Sequence, residues 1–204
     1  FFAGTRPART VRRDGLEYDL PILYWRDDTM IALFSADAAK VRAMLPSENL
    51  HPIMLGQQRC FLAMAVYNYL HTSIGPYGEW AMAIPVCFKR QPRTPLPMLL
   101  QAYDPSFGLW VPHIPVSTHA ALRAGRAEWG YPKFIGNFHF ESNPEYLEGN
   151  LAQGDQPIFD LRVPKRGFLM RDKRPTVALL VKDGQLVRSK VGSQAITQSA
   201  IYPR

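Results

Sequence analysis

A chain of 204 residues, 47% hydrophobic and 12% aromatic, has the apolar content for one sizeable core and reads as a single domain over residues 1–204. No apolar run reaches the roughly 20 residues of a membrane-spanning helix, so no membrane partner is expected. The 24 Lys and Arg against 17 Asp and Glu leave a net charge of +7, gathered largely in Arg6–Arg13 and Lys165–Arg174. There is no zinc-finger spacing, RNP-like aromatic pattern or helix-turn-helix signature, so the excess reads as a solvated basic surface that favours anionic small molecules, not nucleic acid.

The chain starts Phe1-Phe2-Ala3 without a methionine, as a trimmed or processed chain is expected to. Strand-like runs then recur at Met30–Phe34, Arg59–Tyr69, Trp80–Phe88, Met98–Tyr103, Leu109–Val116, Phe134–Glu141, Leu147–Leu151, Pro157–Val163, Thr176–Val181 and Gln185–Val191. Turn signals such as Gly149-Asn150 and Lys182-Asp183-Gly184, with 18 prolines at segment edges, predict many short elements. Two helices interrupt the strands. The first covers Asp37–Leu45, with Ala38, Val41 and Leu45 as its apolar stripe, Ser35 or Asp37 as cap and Pro46 as stop. The second covers Thr118–Trp129 and ends at Gly130 and Pro132. Some ten strands with only two helices predict a mainly β (α+β) fold, an antiparallel barrel, closed or half-closed, with a few short helices. Cys60 and Cys87 lie inside apolar runs and read as buried free thiols, a disulfide being the alternative; a cytoplasmic location is the default.

Among the residues able to carry chemistry, Lys133 projects from a junction whose backbone Gly130 and Pro132 pin. Alternation puts Lys133, Ile135, Asn137, His139 and Glu141 on one face and Phe134, Phe138 and Phe140 on the other. With the Phe face as sole core, Lys133 is a surface lysine. In a barrel strand, the mixed face lines a ligand cavity instead. Glu79 shares its face with the small Ala81 and Ala83, which leaves room beside a carboxylate, while Trp80, Met82 and Ile84 take the other face. Arg26 is suited either to dock a substrate carboxylate as a bidentate fork or to pair locally with Asp27 and Asp28. His113 and His119 have no third ligand at a metal spacing, so no metal is expected; His139 is a further candidate for pocket lining.

The segment Val111–Phe138 (VPHIPVSTHAALRAGRAEWGYPKFIGNF), and above all its Trp-Gly-Tyr-Pro-Lys run, resembles the central signature of the acetoacetate decarboxylase family. Gly75–Phe88 (GPYGEWAMAIPVCF) is similar to the family's strand that carries a catalytic Glu ahead of Ile-Pro-Val, and Met30–Pro46 resembles its early strand and helix. The resemblance implies a cone-shaped β-barrel enclosing a pocket, a homo-oligomer, no cofactor, and a lysine that forms a Schiff base with a β-keto acid. That lysine falls on Lys133 and the catalytic acid on Glu79; Arg26, Trp129, Tyr131 and Phe134 are the expected substrate-binding residues. The chain also departs from the family's pattern. Phe134 stands where the family has a second lysine, Leu62–Ala63 replaces an acidic residue, and Ala127 follows Gly125-Arg126 where Glu is usual, with Glu128 one place later. Part of the family's C-terminal region is expected to be missing.

An amine attacks a ketone only as the free base, and at an ordinary pKa near 10.4 about one lysine in 2,500 is free at pH 7. A neighbouring cation or desolvation remedies this, as it does in acetoacetate decarboxylases. With Phe134 in place of the cation, desolvation is the remaining means; it can lower a fully buried lysine by about 3–5 pH units. The expected activity is therefore that of a Schiff-base lyase acting on a keto acid. Aldol addition or dehydration through the same iminium is a second expectation, and a non-catalytic barrel that binds a small ligand is a third.

Overall fold

The structure, a computed structural model, describes residues 2–92, 104–172, 176–192 and 195–199. In chain order the elements are β1 (Arg9–Arg13), β2 (Leu16–Leu20), β3 (Tyr24–Asp37), α1 (Ala38–Met44), β4 (Leu50–Pro52), β5 (Arg59–Thr72), β6 (Tyr77–Phe88), β7 (Phe107–Val116) and α2 (His119–Ala124). A π-helical turn, Gly125–Trp129, leads to β8 (Lys133–Ile135), β9 (Asn137–Ser142), β10 (Tyr146–Gln153), β11 (Gln156–Pro164), β12 (Phe168–Asp172), β13 (Thr176–Lys182), β14 (Gln185–Val191) and β15 (Ala195–Ser199). The expected strand Met98–Tyr103 lies outside the described residues.

The main sheet runs β14-β13-β7-β6-β5-β3, with β4 beside β6 and β8 beside β7. It departs from the expected antiparallel barrel in two ways. First, it is open: among the described residues no hydrogen bonds join β14 to β3, so nothing closes the ring. Second, it is mixed. The edge of β7 not taken by β6 holds two parallel neighbours, β13 at Leu109–Trp110 and β8 at Ile114–Val116. Local alternation tells which way a side chain faces, not which distant strand lies alongside; this is why neither feature could be read beforehand.

The alternation itself holds where it matters. On β6, Tyr77, Ala81 and Ala83 belong to one apolar cluster with Val116, Ala178 and Leu180, whereas Trp80 turns to the other face and joins Met30, Val66 and Leu151. That second face is covered by the three-stranded sheet β11-β10-β9 through Phe138, Phe140 and Phe159. The predicted run Phe134–Glu141 is thus two strands. The chain leaves the main sheet after β8 and enters the small sheet at β9, with Gly136 between them. His139 consequently belongs to the small sheet, opposite Asn150, and is exposed, not on the face of Lys133.

The two helices lie where their sequence signals put them. Asp37 caps α1 by accepting from the N–H groups of Ala39 and Lys40, and Thr118 caps α2 by accepting from Ala121. The second helix, though, is regular only to Ala124 and widens into the π turn that delivers the chain to Gly130. At the N-terminus the basic run becomes strand β1, folded back on β2 through Asp14-Gly15, both with positive φ. Cys60 and Cys87 are buried free thiols. Among the described residues no helix is long and apolar enough to cross a membrane.

Leu180, fully buried on β13, is the large aliphatic contribution from the parallel neighbour to the cluster that holds Tyr77 and Val116. Leu180→Ala is expected to cost about 2–5 kcal/mol, seen in urea unfolding as a lower midpoint with an unchanged slope.

Candidate active site

The site begins with the way the chain enters β8. Gly130 ends the π turn in the left-handed conformation, φ +73°, which glycine adopts without the cost a side chain would incur. Lys182 of β13 donates to the carbonyls of Ala127 and Glu128 at 2.9 and 3.1 Å, so the helix end is held from the neighbouring strand. Arg126 reaches forward from the same turn, its Nε donating to the Lys133 carbonyl at 2.6 Å. Glu128, beside it, accepts from Tyr18 Oη and pairs with Arg9, which fastens the β1–β2 hairpin to this turn.

Lys133, level with Ile114 of β7, turns its side chain inward; only 6% of the residue is exposed. The methylenes lie over Gly125, where an added Cβ would stand 2.6 Å from both Cδ and Cε. Position 125 therefore has to be glycine for the lysine to extend as it does. Nζ donates to Glu79 Oε2 at 2.6 Å, a pair made by two side chains that are 7% and 13% exposed. Removing one partner of so dry a pair leaves an unpaired buried charge, which is far worse than losing a surface salt bridge.

Five tyrosines surround the pair. Tyr67 lies opposite Glu79, and Tyr69 opposite Tyr77, across β5 and β6. The rings of Tyr24, Tyr69 and Tyr77 pack together, with Tyr24 and Tyr77 each 4.7 Å from Tyr69. The Tyr24 and Tyr77 hydroxyls share a hydrogen bond of 3.1 Å, and Tyr77 Oη lies 3.5 Å from Glu79 Oε2. Tyr131 donates to Ser189 Oγ of β14 at 3.3 Å. Burial, and after it the charge of Glu79, pushes the phenols of Tyr24, Tyr67, Tyr69 and Tyr77 up; burial also raises Tyr131, against the Ser189 hydrogen bond. At neutral pH all five are O–H donors, not phenolates.

Of the residues singled out from sequence, Lys133, Glu79 and Tyr131 are brought together here. Trp129 stands one shell out, its ring 6.3 Å from that of Tyr131. Phe134 does not flank the amine: alternation along β8 turns it to the opposite face, where it is half-buried. The walls nearest Nζ are instead the rings of Tyr77 and Tyr131. Arg26 is exposed at a bulge of β3 opposite His71; the extra residue there breaks the two-residue period and directs it away from Tyr24 and the site. Sequence reasoning does not single out Tyr24, Tyr67, Tyr69 and Tyr77, although Tyr77-Gly78-Glu79 places Tyr77 on the face of Glu79 and Tyr67-Asn68-Tyr69 places Tyr67 and Tyr69 on one face of their own strand.

The fold is thus mostly β and buries a lysine amine against one carboxylate, inside a cluster of neutral phenols. The chain belongs to the acetoacetate decarboxylase family: the family model described as acetoacetate decarboxylase (ADC) matches residues 6–177. Solved structures share the fold at low identity. The acetoacetate decarboxylase of Legionella pneumophila subsp. pneumophila str. Philadelphia 1 aligns over 88% of this chain and 74% of its own, with a TM-score of 0.62 and 16% identity. The enduracididine biosynthesis enzyme MppR, solved with pyruvate, aligns over 87% and 77%, with a TM-score of 0.56 and 14% identity. An acetoacetate decarboxylase-like enzyme from Sphingomonas wittichii RW1 aligns over 85% and 78%, with a TM-score of 0.50 and 18% identity. Among curated protein sequences none matches this chain significantly.

The close approach at Gly125 yields a test of how the lysine is held. Gly125→Ala is expected to displace the Lys133 side chain while leaving the fold intact, because the residue is helical and its main clash is with that flexible chain. Modification of Lys133 by a small amine-reactive reagent, followed by peptide mapping, should rise at least severalfold in the variant, with far-UV circular dichroism unchanged.

Proposed function

We propose that this protein is a Schiff-base-forming enzyme acting on a β-keto acid or related keto acid, with Lys133 as nucleophile and Glu79 as the group that moves protons. The observation that carries this is the buried 2.6 Å contact between Lys133 Nζ and Glu79 Oε2. A carboxylate at that distance is the acceptor to which the ammonium gives its proton before attack. The freed amine adds to the keto carbon, the C=O π pair moves to oxygen, and a proton passes from the nitrogen to that oxygen to form the carbinolamine. Glu79 then returns the proton to the departing hydroxyl, which leaves as water, and the iminium remains beside the carboxylate. With a carboxylate β to that iminium, the C–CO2 bond breaks and its electron pair moves through carbon to nitrogen, giving an enamine. Protonation at carbon and hydrolysis release the ketone and restore the lysine.

The phenols suit this course because they stay protonated. Tyr77 Oη, beside Glu79 and hydrogen-bonded to Tyr24, is a donor available to the carbinolamine oxygen without contributing a second negative charge. Proton donors are therefore richer here than Glu79 alone would make them.

Aldol addition or dehydration is a second reading of the same lysine, favoured by a specific comparison. MppR, similar in fold, has been solved with the condensation product of pyruvate and imidazole 4-carboxaldehyde, at a TM-score of 0.53. Phe134, in place of the second lysine, is a further departure from the decarboxylase pattern. Both readings need the enamine at Lys133 and differ in whether a proton or an aldehyde meets it.

Borohydride reduction in the presence of acetoacetate or pyruvate is expected to attach the acid's carbon skeleton to Lys133, located by peptide mapping. Absence of adduct there, or equal labelling of the surface residue Lys165, would leave a non-catalytic ligand-binding protein as the better account. Glu79→Gln should keep some trappable adduct yet lose turnover by about 10²–10⁴-fold, the usual contribution of a positioned acid–base group. Release of CO2 from acetoacetate by the unaltered chain decides for decarboxylation over carbon–carbon bond formation.

A further inference from the structure

We infer that Tyr77 and Tyr131 are catalytic residues of this site, and that their ring faces hold the positive charge that Lys133 Nζ carries once it has condensed with a keto acid. The inference rests on the Schiff-base reading and goes beyond it by assigning how the intermediate is stabilised. Nζ stands 5.5 Å from the centroid of the Tyr77 ring and 5.7 Å from that of Tyr131. Both distances fall within the roughly 6 Å over which a cation is drawn to the negative face of an aromatic ring, and the attraction is strongest where water is excluded, as it is around this buried lysine.

The two rings are supplied by separate parts of the fold and each is fixed independently. Tyr77, 5% exposed at the start of β6, is held by the Tyr24 hydroxyl and by packing against Tyr69. Tyr131 precedes β8 and is tethered to Ser189 of β14. Neither ring depends on the lysine for its place, so both remain when the nitrogen changes from ammonium to iminium.

That change alters what the nitrogen needs. An ammonium has three N–H donors, and Glu79 takes one of them here. After attack and loss of water, one N–C bond to the substrate has become a double bond, and a single N–H remains on a nitrogen that still carries the charge. Hydrogen bonding can no longer distribute that charge in several directions. Attraction to a ring face requires no N–H and persists. It is also independent of whether Glu79 holds a proton, which it must do at one stage of the cycle. Phenols kept neutral by burial leave the faces available throughout the neutral range.

The experiment grades the ring faces without removing the rings. Phenylalanine and its mono-, di- and trifluorinated analogues are placed at position 77, and separately at 131, in the full chain; fluorine withdraws density from the face with little change in size. Pyruvate and borohydride are the probes, and adduct at Lys133 is measured by mass spectrometry over a range of pyruvate concentrations. Tyr77→Phe and Tyr131→Phe each serve as the reference of their own series, so that loss of the hydroxyl is common to every member, and trapping should fall stepwise with fluorination, to about tenfold below the phenylalanine member at the end of each series. A flat series would overturn the inference. So would a loss already complete at phenylalanine, which would assign the effect to the hydroxyl. No adduct at Lys133 in the unaltered chain would overturn the Schiff-base reading, and the inference with it; adduct there with a flat series removes only the role of the rings.

Discussion

The architecture around this site answers one problem: a lysine and a glutamate from distant parts of the chain are brought within 2.6 Å of each other in a place that water barely reaches. Two charges taken out of water lose solvation that their mutual attraction restores only when the geometry is good and the other donors and acceptors are satisfied. The requirements at each end differ. Glu79 is delivered by a long central strand whose neighbours on both sides fix its direction. Lys133 comes from a three-residue strand, and its direction is secured by a wide helical turn, an arginine on its carbonyl, a lysine from β13 on the helix end and a glycine beneath its methylenes. The rigidity absent from so short a strand is supplied from several sides.

Polar chemistry and apolar packing occupy the same face. The cluster that contains Tyr77, Val116 and Leu180 is ordinary core on one side and the wall of the ion pair on the other. Tyrosine suits that boundary because its ring packs like a hydrophobe while its hydroxyl finds a partner. The result is a site with few full charges and many oriented dipoles, a composition that strengthens electrostatic interactions within it.

Much of this was legible in the sequence, for a physical reason. Strand alternation is local, so the face of Glu79 and its small neighbours Ala81 and Ala83 could be assigned from five residues alone. Helix caps are local too: of Ser35 and Asp37 it is Asp37 that caps the first helix, and the second begins at Thr118, whose side chain caps it. What escaped depends on pairing over distance or on departures from the regular periods. Arg26 stands at a bulge, which strand alternation does not announce. Phe134–Glu141 appears continuous because both strands alternate, although the chain changes sheets between them. The β1–β2 hairpin was hidden by its exposed arginines, which lack the alternating apolar pattern, even though Asp14-Gly15 marks its turn. The π turn follows an otherwise regular helical sequence, and what shapes it arrives from Lys133 and Lys182, residues outside it.

The shared edge of β7 has a consequence for how the protein is made. One half of that edge is covered by β8, about twenty residues further along the chain, and the other by β13, some seventy residues further along. On a ribosome emitting the chain from its N-terminus, β6, β7 and β8 are available to pair well before Thr176 emerges. Over that interval the Leu109–Trp110 end of β7 is an uncovered strand edge, and the helix end has no Lys182 to hold it. Lys133 and Glu79 are synthesised early, yet the surroundings that keep them dry and in register are completed only when β13 and β14 arrive. A nascent chain arrested before that point carries both side chains without the enclosure that keeps water from them.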